Sequence, residues 1–233
     1  MKHDRGAPKN PLEPAGRFQP TWRRTTALLA AAAMSALTLA AVASAVPSAG
    51  CAFCGKNLIK NPGAESGSGQ NATGEMGAVP DWTNTAGQFG AAAYTGFGVG
   101  WFTASSTGPA DRGKNYFFGG TTVAATSAPA TIGTQTIKVP AAAAGHKATL
   151  SGWLGNYGSN TAQVRAEFMD SSGKILSTLR IGPDTTIGGG NMAPRTRSST
   201  VPSGTTSIAI VITFTDHSNY NLAGADDLSL VLG

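Results

Sequence analysis

From Thr206 to Asp216 the chain reads TSIAIVITFTD, with Ile208, Ile210, Ile212 and Phe214 at alternate positions. A period of two puts these four side chains on one face of an extended strand and Ala209, Val211, Thr213 and Thr215 on the other. Ala162 to Asp170 repeats the pattern, with Val164, Ala166 and Phe168 inward and Arg165 and Glu167 outward, so solvent meets one side of that sheet. Shorter extended segments are predicted at Leu58–Lys60, Ala92–Thr95, Tyr116–Phe118, Thr134–Val139, Ala148–Leu154, Lys174–Arg180, Arg195–Val201 and Asp227–Leu232. Turn chemistry separates them: Asp170-Ser171-Ser172-Gly173 reads as a hairpin loop, and Gly182-Pro183-Asp184 and Val201-Pro202-Ser203-Gly204 punctuate later strands. Ala141–Ala144 is the best place for a short helical turn, ended by Gly145.

About ten short strands without intervening helices predict an all-β fold, an antiparallel jelly-roll sandwich. The low charged fraction of 12% and the 31 glycines agree with short strands and many turns rather than charged amphipathic helices. The formal charge of +5 is a local matter. Residues 1–45 hold Lys2, Arg5, Lys9, Arg17, Arg23 and Arg24 against Asp4 and Glu13, which leaves 11 cations, 10 anions and a net +1 for the remainder. A body so close to neutral lacks the clustered basic surface that displaces counterions from phosphates, and this argues against a nucleic-acid partner.

The N-terminus predicts export. Ala27 to Ala45 is an uncharged run preceded by Trp22-Arg23-Arg24, and it ends in Ala43-Ser44-Ala45, the small-x-small pattern of a signal-peptidase site. Cleavage would leave Val46 as the first residue of a secreted or cell-surface protein with no stable membrane span. An uncleaved anchor is the competing reading, because the run just spans a bilayer core. The arginine pair also raises the twin-arginine route, although Thr26 stands where a large apolar residue is usual. The expected organisation is a signal segment at 1–45, a linker with a cysteine pair at 46–56, and one domain at 57–233.

Cys51 and Cys54 are the only cysteines. Outside the cytosol they are expected to form a disulfide with each other. Zinc lacks ligands here, since His3, His146 and His217 are scattered along the chain. Acylation of Cys51 after Ser48-Ala49-Gly50 would instead make the protein a lipoprotein.

Asn57-Leu58-Ile59-Lys60-Asn61-Pro62-Gly63-Ala64-Glu65 opens the domain, Leu150-Ser151-Gly152-Trp153 falls midway, and Ala225-Asp226-Asp227-Leu228-Ser229-Leu230 closes it. This pairing resembles the galactose-binding-like jelly rolls, particularly the carbohydrate-binding modules attached to xylanases and glucanases, over residues 57–232. The resemblance implies that the first and last segments lie side by side. It also implies a structural calcium held by Glu65 and Asp227, with a backbone carbonyl near Gly67. Oxygen ligands from carboxylates and turns suit that ion. Against this, Glu65 also reads as a cap for turn amides and Asp227 as a solvated strand-start residue. Asp226 is expected to be the less suited of the pair, because adjacent strand residues point to opposite sides.

Sugar recognition needs aromatic faces and planar polar groups. Trp101, Tyr116, Tyr157 and Asn156 are the candidate ligand-binding residues, while Trp82, Trp153 and Phe168 read as core. Period two separates Tyr116 and Phe118 from Phe117, so at least one ring is expected to face outward. No nucleophile elbow, zinc-protease or phosphate-loop motif occurs. Ten acidic residues follow the export segment, but nothing in the sequence pairs two of them across a cleft. The expected function is therefore a secreted noncatalytic module that binds polysaccharide, a cell-surface glycan or another extracellular polymer. The alternatives are a structural or adhesive surface protein and a small secreted hydrolase.

Overall fold

In a computed structural model, the described part of the chain is residues 51–233 other than 72–75, 97, 99, 121–129, 184–186 and 218–219. The signal-segment reading of residues 1–45 lies outside the described residues. Among the described residues ten strands form two five-stranded sheets: β1 (Thr83–Ala86), β2 (Gly90–Ala93), β3 (Asn115–Phe118), β4 (Ala130–Lys138), β5 (Lys147–Asn156), β6 (Thr161–Met169), β7 (Ile175–Ile181), β8 (Asn191–Thr200), β9 (Ser207–Thr215) and β10 (Ala223–Leu232). One sheet has the order β1-β4-β9-β6-β7, the other β2-β3-β10-β5-β8, and every paired strand runs antiparallel to its neighbour. Among the described residues the helical content is a single 3-10 turn at Ala141–Ala143, and no helix is long and apolar enough to cross a membrane.

Alternation builds the core. Ile208, Ile210, Ile212 and Phe214 of β9 and Val164, Ala166 and Phe168 of β6 meet Leu150, Leu154, Ala225, Leu228 and Leu230 of the facing sheet, all of them buried. The β6–β7 hairpin closes as its turn residues require. The Asp170 carboxylate accepts Ser172 and Lys174 N–H groups at 2.8 and 3.0 Å, and Gly173 takes φ +83°.

One predicted strand is absent and one unpredicted strand is present. Leu58–Lys60 is no strand, because the Asn57 side chain stands in for the ladder: its amide donates to the Leu228 carbonyl and its Oδ1 accepts Ile59 and Leu230 N–H groups. The chain ends do meet, through bridges of Asn57 with Val231 and Cys54 with Leu232. β1, unpredicted, is a polar and largely exposed edge strand that gives no alternation to read.

Candidate functional site

Part of the connection from β2 to β3 is buried, at Tyr94, Gly96, Gly100, Trp101 and Phe102. It lies over the outer face of the second sheet and makes a second apolar cluster of Tyr94, Trp101, Phe102, Tyr116, Phe118, Met192 and Leu222. Two strand glycines form its floor: a Cβ at Gly155 or Gly224 would lie 2.6 Å from the Phe102 ring, so only glycine lets that ring reach the sheet. Phe102 N–H donates to Tyr116 Oη at 3.3 Å, and the two rings meet edge-on at 5.2 Å. Arg112 ties the connection from within, donating to the carbonyls of Thr103, Ser106 and Pro109 and lying 5.1 Å from the Tyr94 ring centroid.

This arrangement relocates two expected sugar-binding residues. Trp101 is 5% exposed and Tyr116 0%, so both are core residues of the second cluster. Tyr116 and Phe118 do face away from Phe117, as period two predicts, but the side they face is itself covered.

At the end of the sandwich where β5 passes to β6, two asparagines organise the loops. Asn156, 1% exposed, donates to the Asn160 carbonyl at 2.7 Å and accepts Gly188 N–H at 2.8 Å, which places it beneath the loops as an organiser rather than at a surface. The Asn160 amide donates to the carbonyls of both Tyr157 and Tyr220, at 3.2 and 2.8 Å. One side chain thus fixes the backbone of two tyrosines that reach solvent, Tyr157 half-buried and Tyr220 47% exposed. Tyr220 carried no sequence signal, since it stands in a loop with no neighbouring aromatic residue.

The carboxylates gather at the middle of β10, three to four residues beyond its Ala223 end. Asp227 takes φ +46° and the register with β5 shifts between Asp226 and Ser229, so alternation is broken there. As a result Asp226 and Asp227 both turn toward the Asn61–Gly67 turn: a Cβ at Gly63 would lie 3.0 Å from Asp226 Oδ1, 3.8 Å from Asp227 Oδ1 and 3.7 Å from Glu65 Cγ. The expectation that Asp226 points away is thereby corrected. Asp226 is fully buried and accepts the Tyr94 hydroxyl at 2.7 Å and Asp227 N–H at 2.8 Å. Burial, with the nearby Asp227 and Glu65 charges, pushes its carboxyl up to about 8. Asp227 rises to about 6 through burial and the charges of Asp111 and Glu65. Tyr94 is raised by burial and by Asp226. Glu65 caps the start of β3, accepting Lys114 and Asn115 N–H groups at 2.9–3.0 Å. The Gly67 carbonyl accepts the Asn115 amide at 2.9 Å.

The charged groups acting on Asp226 and Asp227 are carboxylates, and their mutual repulsion adds to burial in raising both. As an acid–base pair the two are poorly placed, because a fully buried Asp226 touches no substrate.

Cys51 and Cys54 sit at disulfide distance with Cα atoms 5.2 Å apart. Folding also brings His146 there, Nδ1 3.5 Å from Cys54 Sγ and its ring edge-on to Phe53. That approach joins residues 92 positions apart, which no local pattern announces.

No family model and no curated protein matches the chain by sequence. Among solved structures, the enzymatically active domain of bacteriophage CBA120 tailspike protein 4 is similar at 16% identity and a TM-score of 0.48, over 76% of this chain and 21% of that one, so the chain spans about a fifth of its length. TmCBM61 in complex with beta-1,4-galactotriose is similar at 15% identity and a TM-score of 0.46, covering 76% of this chain and 99% of that module. A family 16 carbohydrate-binding module gives 17% identity and a TM-score of 0.48 over 75% and 99%.

Proposed function

We propose that the chain is an exported, noncatalytic carbohydrate-binding module that takes polysaccharide or a cell-surface glycan at the loop end of the sandwich. The observation carrying this reading is the pair Tyr157 and Tyr220, two tyrosines open to solvent whose backbones one Asn160 amide holds in place. A tyrosine offers an apolar face for a pyranose and a hydroxyl for its rim, and a fixed backbone lowers the ordering cost of binding.

Export rests on the Ala27–Ala45 run and its Ala43-Ser44-Ala45 terminus. Calcium belongs to the same reading. Asp226, Asp227 and Glu65, with Asp111 beside Asp227, would hold it, and the ion would supply positive charge where carboxylates now crowd one another.

Retention on insoluble polysaccharides, measured with and without soluble oligosaccharide, tests the binding. Retention that the competitor relieves and that Tyr157→Ala and Tyr220→Ala each weaken is expected. Absence of retention on a broad polysaccharide panel would remove the binding claim and leave a structural or adhesive role for the surface.

A further inference from the structure

The body of the protein carries a net charge of only +1, yet it spends three of its five arginines on one groove. The groove, about 490 Å³, is lined by Arg165, Glu167, Thr178, Leu179, Arg180 and Arg197, a volume within the roughly 300–1,000 Å³ of ordinary ligand sites. It lies where two sheet edges come together: β7 is the last strand of one sheet and β8 the last of the other. Arg165 and Arg180 are direct register partners across β6 and β7, and Arg197 reaches in from β8.

Like charges directly opposite each other in a sheet are destabilising, so this pairing is one that stability alone disfavours. Among the described residues lining the groove a single carboxylate, Glu167, faces the three guanidinium groups. Glu167 binds Arg165 Nε at 3.0 Å, and Gln163 accepts from the same arginine at 3.3 Å, so Arg165 is held in place. Arg180 and Arg197 have no carboxylate partner among the described residues, and both are exposed. Thr178, the register partner of Glu167, adds a hydroxyl to the same wall.

We infer that this groove is a second binding site, separate from the tyrosine end, for the anionic group of an acidic polysaccharide. The two free planar forks match a carboxylate or sulfate bidentately, and the Arg165–Glu167 pair presents one donor edge and one acceptor edge to sugar hydroxyls. The polymer class rests on the carbohydrate-binding reading above, while the anion chemistry rests on the groove alone.

Affinity electrophoresis of the full chain tests it, through gels containing polygalacturonate, dextran sulfate or neutral xylan. Retardation in an anionic gel is expected, with the dissociation constant raised about tenfold or more in R180Q/R197Q. Polygalacturonate and dextran sulfate distinguish a carboxylate source from a sulfate source, and retardation by either supports the groove. Mobilities are compared with polymer-free gels, and unchanged thermal melts establish that the exposed variants fold. K56Q/K174Q removes the same charge elsewhere and should bind as the parent does. Equal weakening in the lysine control, or no retardation in either anionic gel, overturns the inference. Retardation in xylan that only Tyr157→Ala abolishes keeps the tyrosine site and rejects this one if the anionic gels are silent.

Discussion

Asp226→Asn isolates the electrostatics of the buried carboxylate. In the folded chain Asp226 titrates near 8, against 3.8 for the free side chain, because burial and the Asp227 and Glu65 charges penalise its ionised form. Between those values the folded state keeps a proton that the unfolded state has released, so stability falls as pH rises from about 4 to about 8. Asp227, raised to about 6, adds to the fall over the lower part of that window. Each pH unit of withheld ionisation is about 1.4 kcal/mol, so Asp226 disfavours the metal-free fold by an amount on the order of 1 kcal/mol at pH 5 and several kcal/mol at pH 7. An asparagine keeps an oxygen for the Tyr94 hydroxyl and never ionises. In chelator, the stability of Asp226→Asn should therefore exceed that of the parent by an amount that grows with pH, read from urea unfolding at pH 5, 6 and 7. Calcium should reverse the parent's slope, since ionised carboxylates bind it and protons compete. At one hundred times Kd it would contribute about 2.7 kcal/mol. A pH-independent difference between variant and parent would refute the electrostatic account, and identical unfolding in calcium and chelator would refute the metal.

The Phe102 ring, fully buried on Gly155 and Gly224, predicts a loss of about 3–5 kcal/mol on Phe102→Ala by chemical denaturation; a loss under about 1 kcal/mol would mean that the 94–114 connection contributes little to the fold. N-terminal sequencing of the exported product is expected to begin at Val46, and an intact Met1 segment on that product would contradict cleavage.

The strands were legible wherever one face met the core and the other met water. Ile208, Ile210, Ile212 and Phe214 are all buried in the main core, as their alternation requires. The pattern failed where a sheet is covered on both sides. Every residue of β3 is buried, so alternation there carries no information about exposure, and Trp101 and Tyr116, expected at the surface, lie in the cluster under the β2–β3 connection. A signal did exist in Gly155 and Gly224, glycines inside strands, which mark close approach of another group. The carboxylate cluster was half legible. Glu65 and Asp227 follow from the chain-end motifs, whereas Asp226 joins them only because a register shift and a positive φ at Asp227 suspend the strand period. Asp111 and Tyr220 arrive from loops whose paths are set by tertiary packing, and the sequence around them is silent on it.

The central claim is that sugar binds at the loop end of the sandwich. Amide chemical shifts of the labelled protein, followed while an oligosaccharide that competes in the retention assay is added, test it residue by residue. Saturable shifts concentrated at Tyr157, Asn160, Tyr220 and their neighbours are expected, and Tyr157→Ala should weaken the titration about tenfold. A spectrum that does not move, or shifts confined to the outer face of β4, β9 and β6, would contradict it.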